Sequence, residues 1–128
     1  MNEEWKQLYD IACGKINPHE ISENMYVGGV AAAVLTKKGN IYTGVCIDTS
    51  SSLGMCAERN ALSTMLANGE NEVDKVLSVY KDGKVMPPCG ACREFMMQLG
   101  MTAKEIQILL DNQGKVAKLS ELIPEYPY

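Results

Sequence analysis

The first half of the chain changes from a helical to an extended hydrophobic pattern. In residues 3–15 the apolar side chains recur every three or four positions, which predicts an amphipathic helix. Gly14 and the pair Asn17-Pro18 are typical signals for the end of a helix. The nearly apolar residues 26–35 predict a buried strand, and a lysine, glycine and asparagine turn connects it to a second strand at 41–48. We therefore expect a helix followed by a β-hairpin.

Short strands alternate with helices in the second half of the chain. A serine-rich loop ends at Gly54, and helices and strands follow without any internal repeat. The predicted elements are a helix at 56–67, a strand at 73–81, a helix at 90–99, a strand at 106–110 and a short helix at 119–123. This order is typical of an α/β fold with a mixed sheet covered by helices. The length predicts that residues 1–128 form a single domain.

Composition and charge restrict the partners. The apolar share of 46% and the charged share of 22% are ordinary for a globular protein. A net charge of −4 and a pI near 5.0 argue against nucleic-acid binding, which needs a basic surface. The longest nearly apolar run, 26–35, is too short to cross a bilayer, and the acidic first residues do not resemble a secretory signal. We expect a cytoplasmic protein that acts on a small molecule and binds neither nucleic acid nor membrane.

The cysteines carry the strongest chemical signal. A reducing compartment disfavours disulfides, so the five cysteines are predicted to be metal ligands or core residues. Cys56 precedes Ala57-Glu58, and Cys89 and Cys92 form a Cys-x-x-Cys pair; both groups lie at predicted helix starts, where free N–H groups favour the zinc-binding thiolate. Three thiolates leave the fourth position of a tetrahedral Zn²⁺ open, as in catalytic sites. Glu58 is then the predicted proton carrier.

Other interpretations remain open at this stage. Taken alone, the pair Cys89-x-x-Cys92 fits a structural zinc knuckle or two buried thiols as well as it fits a catalytic zinc site. With a structural zinc, the protein would be a zinc-stabilised domain without turnover. A thioredoxin-like redox pair is a further alternative, but it needs neither a third cysteine nor Glu58. A structural zinc site has no use for a carboxylate beside its first ligand, so Glu58 favours catalysis.

The two cysteine segments, extended to Cys56-Ala57-Glu58-Arg59 and Pro88-Cys89-Gly90-Ala91-Cys92-Arg93, resemble the signature of the small cytidine deaminases with three cysteine ligands. The resemblance covers nearly the whole chain. It implies a three-layer α/β/α fold with a mixed five-stranded sheet and a zinc enzyme of pyrimidine salvage. In this family zinc generates the nucleophile that attacks the amine-bearing carbon, while the glutamate at Glu58 protonates the ring nitrogen and the leaving ammonia. The resemblance also implies that Arg59 corresponds to the family arginine that hydrogen-bonds the ligand sulfurs.

The substrate side departs from the family pattern. Cytidine deaminases carry an aromatic residue at the position of Gly28, and an asparagine and a glutamate for the ribose hydroxyl at the positions of Cys46 and Asp48. The alanine-rich first strand and the proline- and tyrosine-containing C-terminus look more like the related blasticidin S deaminases. We predict deamination of cytidine or deoxycytidine, with a cytosine-containing analogue such as blasticidin S as the alternative. The predicted substrate-binding residues are Cys46, Asp48, Ala57 and Tyr126.

The resemblance also implies a homotetramer whose sites are completed by neighbouring chains. A short domain has difficulty covering a pocket by itself, and Phe95-Met96-Met97 is expected to offer apolar surface to a partner. Tyr126 or Tyr128 of an adjacent chain is then predicted to supply the aromatic side chain that is absent at Gly28.

Overall fold

The computed structural model describes residues 1–128. Every helix and strand predicted from the sequence is present, with ends that shift by at most about two residues. The elements are α1 (Glu3–Cys13), β1 (His19–Ser22), β2 (Met25–Thr36), β3 (Ile41–Thr49), α2 (Ala57–Ala67), β4 (Val73–Tyr80), β5 (Val85–Met86), α3 (Gly90–Met97), β6 (Gln107–Leu109), β7 (Val116–Lys118) and α4 (Leu119–Leu122), with a 3-10 helix at Met101–Glu105.

The strands form one mixed sheet around β2. On one edge β2 pairs antiparallel with β3 along its length, and on the other edge it pairs first with β1 and then with β4. Strand β5 pairs antiparallel with β4, β6 pairs parallel with β4, and β7 pairs antiparallel with β6. The sheet therefore has seven strands and not the expected five. The hydrophobic pattern predicts four of these strands. The other three, β1, β5 and β7, contain four, two and three residues, which is too short for a periodic pattern.

Helices cover both faces of the sheet, so the fold has three layers. Alternate residues of β2 point to opposite faces: Ala31, Ala33 and Leu35 pack with α1, while Ala32 and Val34 pack with α2 and α3. The α1 side chains in this core are Trp5, Leu8 and Ala12. None of the helices combines the length and the apolar character needed to span a membrane.

The methionines of α3 contribute to the core of their own chain. Met96 is fully buried and Met97 is 7% exposed. The expectation that Phe95-Met96-Met97 offers apolar surface to a partner is therefore wrong for these two methionines. Their helical face turns inward because α3 lies against the core cluster that includes Ala103 and Ile106.

Gly44 in β3 fixes the position of α2. A Cβ atom there would collide with the backbone nitrogen of Ala61 and lie 2.6 Å from the carbonyl oxygen of Ala57. The backbone of α2 thus rests directly on β3. Asn60 strengthens the same contact, because its Oδ1 accepts a hydrogen bond of 2.9 Å from the backbone N–H of Val45. This packing sets the first turn of α2, and with it Cys56 and Glu58.

Candidate metal centre and active-site pocket

Three thiols meet where α2 and α3 begin. Cys56 is the N-cap residue of α2 and Cys89 is the N-cap residue of α3, both with extended backbone. Neither thiol makes a capping hydrogen bond to its own helix, so both sulfurs are free to bind another group. Cys92 lies in the first turn of α3 and is fully buried. The two helix starts therefore present three sulfur atoms to one point.

The distances between these sulfurs fit one zinc ion. Cys56 Sγ lies 3.5 Å from Cys89 Sγ, and Cys89 Sγ lies 3.6 Å from Cys92 Sγ. All three sulfurs lie within 4.8 Å of one another. In a tetrahedral site with Zn–S bonds of about 2.3 Å the sulfurs are about 3.8 Å apart. Because the protein offers only three ligands here, a fourth position remains for water or substrate.

The environment of the thiols differs from one to the next. Burial raises the pKa of Cys56 and of Cys92 above the ordinary value for a thiol. Burial opposes ionisation of Cys89 too, but the nearby backbone N–H groups of Cys92 and Ala91 and the neighbouring thiols lower its pKa overall. The start of α3 thus favours the thiolate form of Cys89, which is the form that binds zinc.

Two arginines support the cysteine segments. Arg59 places Nη2 3.7 Å from Cys56 Sγ, so its charge lies beside the thiols, while its buried Nε has no hydrogen-bond partner. Arg93 donates from Nε to the carbonyl oxygen of Pro88 at 2.8 Å and from Nη1 to that of Leu122 at 2.9 Å. Arg93 therefore connects the segment before Cys89 to the end of α4.

Glu58 lies in the first turn of α2 and points into the interior. It is only 5% exposed, and burial raises its pKa, although its own backbone N–H, the Ser78 hydroxyl and the charge of Arg59 reduce the rise. A carboxyl group with a raised pKa is suited to take up and return a proton near neutral pH.

A small inner pocket opens beside Glu58 and the thiols. Its volume is about 180 Å³. It is lined by Val30, Cys46, Cys56, Ala57, Glu58, Ser78, Met86, Pro87 and Cys89. The structure therefore brings together Cys46 and Ala57 with the catalytic candidates. The sequence argument missed Ser78, and the available signal was a polar residue in the otherwise apolar part of β4.

A wider outer groove of about 350 Å³ adjoins the inner pocket, and Cys46 and Cys56 line both. Its lining residues are Cys46, Ile47, Asp48, Thr49, Ser51, Ser52, Gly54, Met55, Cys56 and Arg59. Asp48, two residues after Cys46 on β3, lies in this groove. The site thus consists of a largely apolar inner part and a polar outer part.

Comparison with known proteins agrees with this architecture. Residues 5–109 match the family model of the cytidine and deoxycytidylate deaminase zinc-binding region. The chain belongs to the cytidine deaminase family. It is accordingly a zinc-dependent aminohydrolase, and zinc is its cofactor.

Individual relatives come from two branches. A cytidine deaminase from Halalkalibacterium halodurans is 36% identical over 99 aligned residues, which cover 74% of this chain and 74% of the relative. A blasticidin-S deaminase from Bacillus cereus is 31% identical over 129 aligned positions, which cover 92% of this chain and 88% of the relative. The crystal structure of cytidine deaminase from Mycobacterium leprae superimposes with a TM-score of 0.80 at 27% identity and covers 97% of this chain and 100% of that chain.

Gly28 departs from the cytidine deaminase pattern for a visible reason. Its φ angle is +89°, and a Cβ atom there would collide with the carbonyl oxygen of Asn17. The backbone N–H of Asn17 also donates a 3.1 Å hydrogen bond to the carbonyl oxygen of Gly28. The segment after α1 thus occupies the space that a side chain at position 28 would need. No aromatic wall arises from this position of the chain.

The tyrosines at the C-terminus lie apart from the inner pocket of their own chain. Tyr126 packs against the core cluster beside α3, and its hydroxyl is buried without a hydrogen-bond partner. Tyr128 is 86% exposed, and its ring lies edge-on to Tyr126 at a centroid distance of 5.7 Å. Neither tyrosine lines the pocket that contains Glu58.

Proposed function

We propose that this cytidine deaminase family member hydrolyses the exocyclic amine of cytidine or deoxycytidine, giving the uracil nucleoside and ammonia. The main support for this proposal is the buried Glu58, which lines one small pocket together with two of the three clustered thiols. The uracil nucleoside is a product of pyrimidine salvage.

Cys56, Cys89 and Cys92 hold the zinc ion in this proposal. Their sulfurs lie at separations suited to a tetrahedral ion. When bound, zinc lowers the pKa of water and so supplies the nucleophile. The charge of Arg59, 3.7 Å from Cys56, offsets part of the negative charge of three thiolates.

Glu58 moves the protons. It accepts a proton as the water oxygen bonds to the amine-bearing carbon, and it delivers a proton to the ring nitrogen. It then takes the second proton of the former water from the new hydroxyl group and passes it to the amine, so the carbon–nitrogen bond breaks, ammonia leaves and the carbonyl double bond forms. Ala57, Val30 and Met86 form apolar walls of the inner pocket and limit the access of further water to this carboxyl group.

In this proposal each of the two cavities binds a different part of the substrate. An inner pocket of about 180 Å³ is smaller than ordinary ligand sites of roughly 300–1,000 Å³, and it suits a single pyrimidine ring. The sugar then lies in the outer groove, where Asp48 accepts from a hydroxyl group. The groove contains no lysine, and its one arginine, Arg59, already faces Cys56. This charge distribution favours a nucleoside over a phosphorylated nucleotide.

A cytosine-containing analogue such as blasticidin S is the second candidate. The alignment with the Bacillus cereus blasticidin-S deaminase covers 92% of this chain. Gly28 also removes the aromatic side chain that stacks on the base in cytidine deaminases, so this feature of cytidine recognition is missing from the chain.

Ammonia release from a panel of substrates tests the proposal. Zinc-loaded protein is incubated with cytidine, deoxycytidine, deoxycytidine monophosphate, free cytosine and blasticidin S, and chelator-treated protein is the control. We expect the largest kcat/KM with cytidine or deoxycytidine and little turnover of the monophosphate. Preferred turnover of blasticidin S would establish the second candidate, and no release from any compound would contradict both.

We further propose a homotetramer in the cytoplasm. All five cysteines are free, which suits a reducing compartment. An open recess of about 730 Å³ lies at the end of α3, and Met101 and Tyr128 beside it are 95% and 86% exposed. A second copy of the chain covers these side chains and brings the exposed Tyr128 to a neighbouring pocket, while Tyr126 stays packed in its own chain. Light scattering checks this assembly, and an active monomer at micromolar concentration would contradict it.

A further inference from the structure

Ser78 is a polar residue in a buried part of the sheet. It lies in the middle of β4 between Leu77 and Val79, and it is 3% exposed. Burying a hydroxyl group costs free energy unless the hydroxyl is hydrogen-bonded. An alanine would also fit this buried position, so the role of Ser78 depends on the contacts of its hydroxyl group.

The sheet register directs Ser78 toward the active site. Ser78 pairs with Ala32 on one side and with Met86 on the other, and directly opposed residues share a face of the sheet. Ala32 packs in the core cluster that contains Ala57 of α2. Ser78 therefore lies below the first turn of α2, where it lines the inner pocket.

Two oxygen atoms surround the Ser78 hydroxyl. Its Oγ lies 3.0 Å from the carbonyl oxygen of Met86 and 3.5 Å from Oε2 of Glu58. A hydroxyl has one hydrogen to donate, and O–H···O bonds are strongest near 2.7–2.8 Å. In this arrangement the hydrogen points mainly to Met86. The lone pairs of Oγ remain available, so the same hydroxyl can accept from Glu58 or turn and donate to it.

No other side chain hydrogen-bonds the carboxyl group of Glu58. Ser78 is thus its sole side-chain partner within the chain, and β5 supplies the carbonyl group that holds Ser78. The chain of contacts runs from the Met86 carbonyl through Ser78 to Glu58.

We propose that Ser78 is a positioning residue that holds the carboxyl group of Glu58 in one orientation toward the inner pocket. This role rests on the proposed deamination, in which Glu58 carries the proton. Because a hydroxyl group both donates and accepts, Ser78 can hydrogen-bond Glu58 whether the carboxyl group is protonated or ionised. A carboxyl group that is free to rotate loses the near-attack geometry that proton transfer requires.

Two substitutions of Ser78 and a matched control test this role. Ser78→Ala removes the hydroxyl, and Ser78→Thr retains it on a residue that suits a strand. Ser63→Ala is the control, because Ser63 on α2 donates at 2.7 Å to the carbonyl oxygen of Arg59 and does not line the pocket. For each protein we would measure zinc content, kcat and KM, and solve the zinc-loaded crystal structure.

We expect Ser78→Ala to keep its zinc and its KM and to lower kcat by about tenfold, since one hydrogen bond to the catalytic group is lost. The crystal structure should show Glu58 in more than one orientation. Ser78→Thr should recover most of kcat, and Ser63→Ala should behave like the wild type.

Two results would overturn the proposal: an unchanged kcat in Ser78→Ala, or a Glu58 side chain that keeps its single orientation there. If KM rises while kcat stays unchanged, Ser78 contacts the substrate and does not position Glu58. If the wild type deaminates none of the compounds, the proposed function fails separately. The orientation of Glu58 in the two crystal structures then still decides the role of Ser78.

Discussion

The metal end and the substrate end of the site are built in different ways. At the metal end, Cys56, Cys89 and Cys92 come from two helix starts, and Glu58 follows in the same first turn as Cys56. At the substrate end, Cys46 and Asp48 come from β3 and depart from the pattern of cytidine deaminases. In the proposed function the reaction therefore depends on a compact set of helix-terminal residues, whereas substrate choice depends on residues of a strand.

Removing a buried ligand should break the metal end completely. We expect Cys92→Ala to lose its zinc, because Cys92 is fully buried and two thiols cannot replace three. Elemental analysis measures the zinc content. The double variant Cys13→Ala, Cys46→Ala is the control and should retain one zinc per chain. Loss of zinc in the control would show that the ligands have been assigned incorrectly.

Replacing the proton carrier should separate metal binding from turnover. Glu58→Gln preserves the shape of the side chain but removes its proton transfer, and we expect kcat to fall by about 10²–10⁴ while zinc remains bound. Ammonia release and metal content are measured on the same preparation. Turnover at the wild-type rate would rule out Glu58 as the proton carrier.

At the substrate end, a side chain at position 28 should destabilise the fold. We expect Gly28→Ala to lower the free energy of unfolding by about 2–3 kcal/mol, from the positive φ angle together with the collision with Asn17. Gly39→Ala is a matched control, because its φ angle is +90° and nothing lies within 4 Å of the added Cβ. Urea unfolding measures both variants, and equal losses would show that the contact with Asn17 is unimportant.

Restoring the family residues on β3 should have the smallest effect. We expect the double variant Cys46→Asn, Asp48→Glu to raise kcat/KM for cytidine by about tenfold, since an amide and a longer carboxylate reach the ribose hydroxyl. The value for free cytosine, which has no ribose, is the comparison. A parallel change for both compounds would show that these residues do not contact the sugar.

The sequence was informative where a few neighbouring residues decide the structure. The starts of α2 and α3 follow from local breaks, namely the loop ending at Gly54 and the prolines before Cys89, and the cysteine spacing then predicts the thiol cluster. These signals, with the hydrophobic pattern, were sufficient to predict the α-helices, the four strands β2, β3, β4 and β6, and the fold class. The comparisons confirm the family and the zinc cofactor.

The remainder depends on contacts between distant segments. Strand β5 has two residues and no periodic pattern, and without it the position of Ser78 opposite Met86 was not predictable. The unusual residue at position 28 becomes understandable only from its contact with Asn17, eleven positions away in the chain. The packing of Tyr126 beside α3 likewise gives no local signal.

The separation of the outer groove from the inner pocket has a practical consequence for protein engineering. The outer groove includes Thr49, Ser51 and Ser52, which lie in a loop and at the end of a strand and do not line the inner pocket. If the proposed function is correct, a combinatorial library confined to these positions would vary the recognition of the sugar or of a larger substituent on the substrate. It would leave the thiols and the packing of α2 on β3 unchanged, so most members of the library should remain folded and metal-loaded.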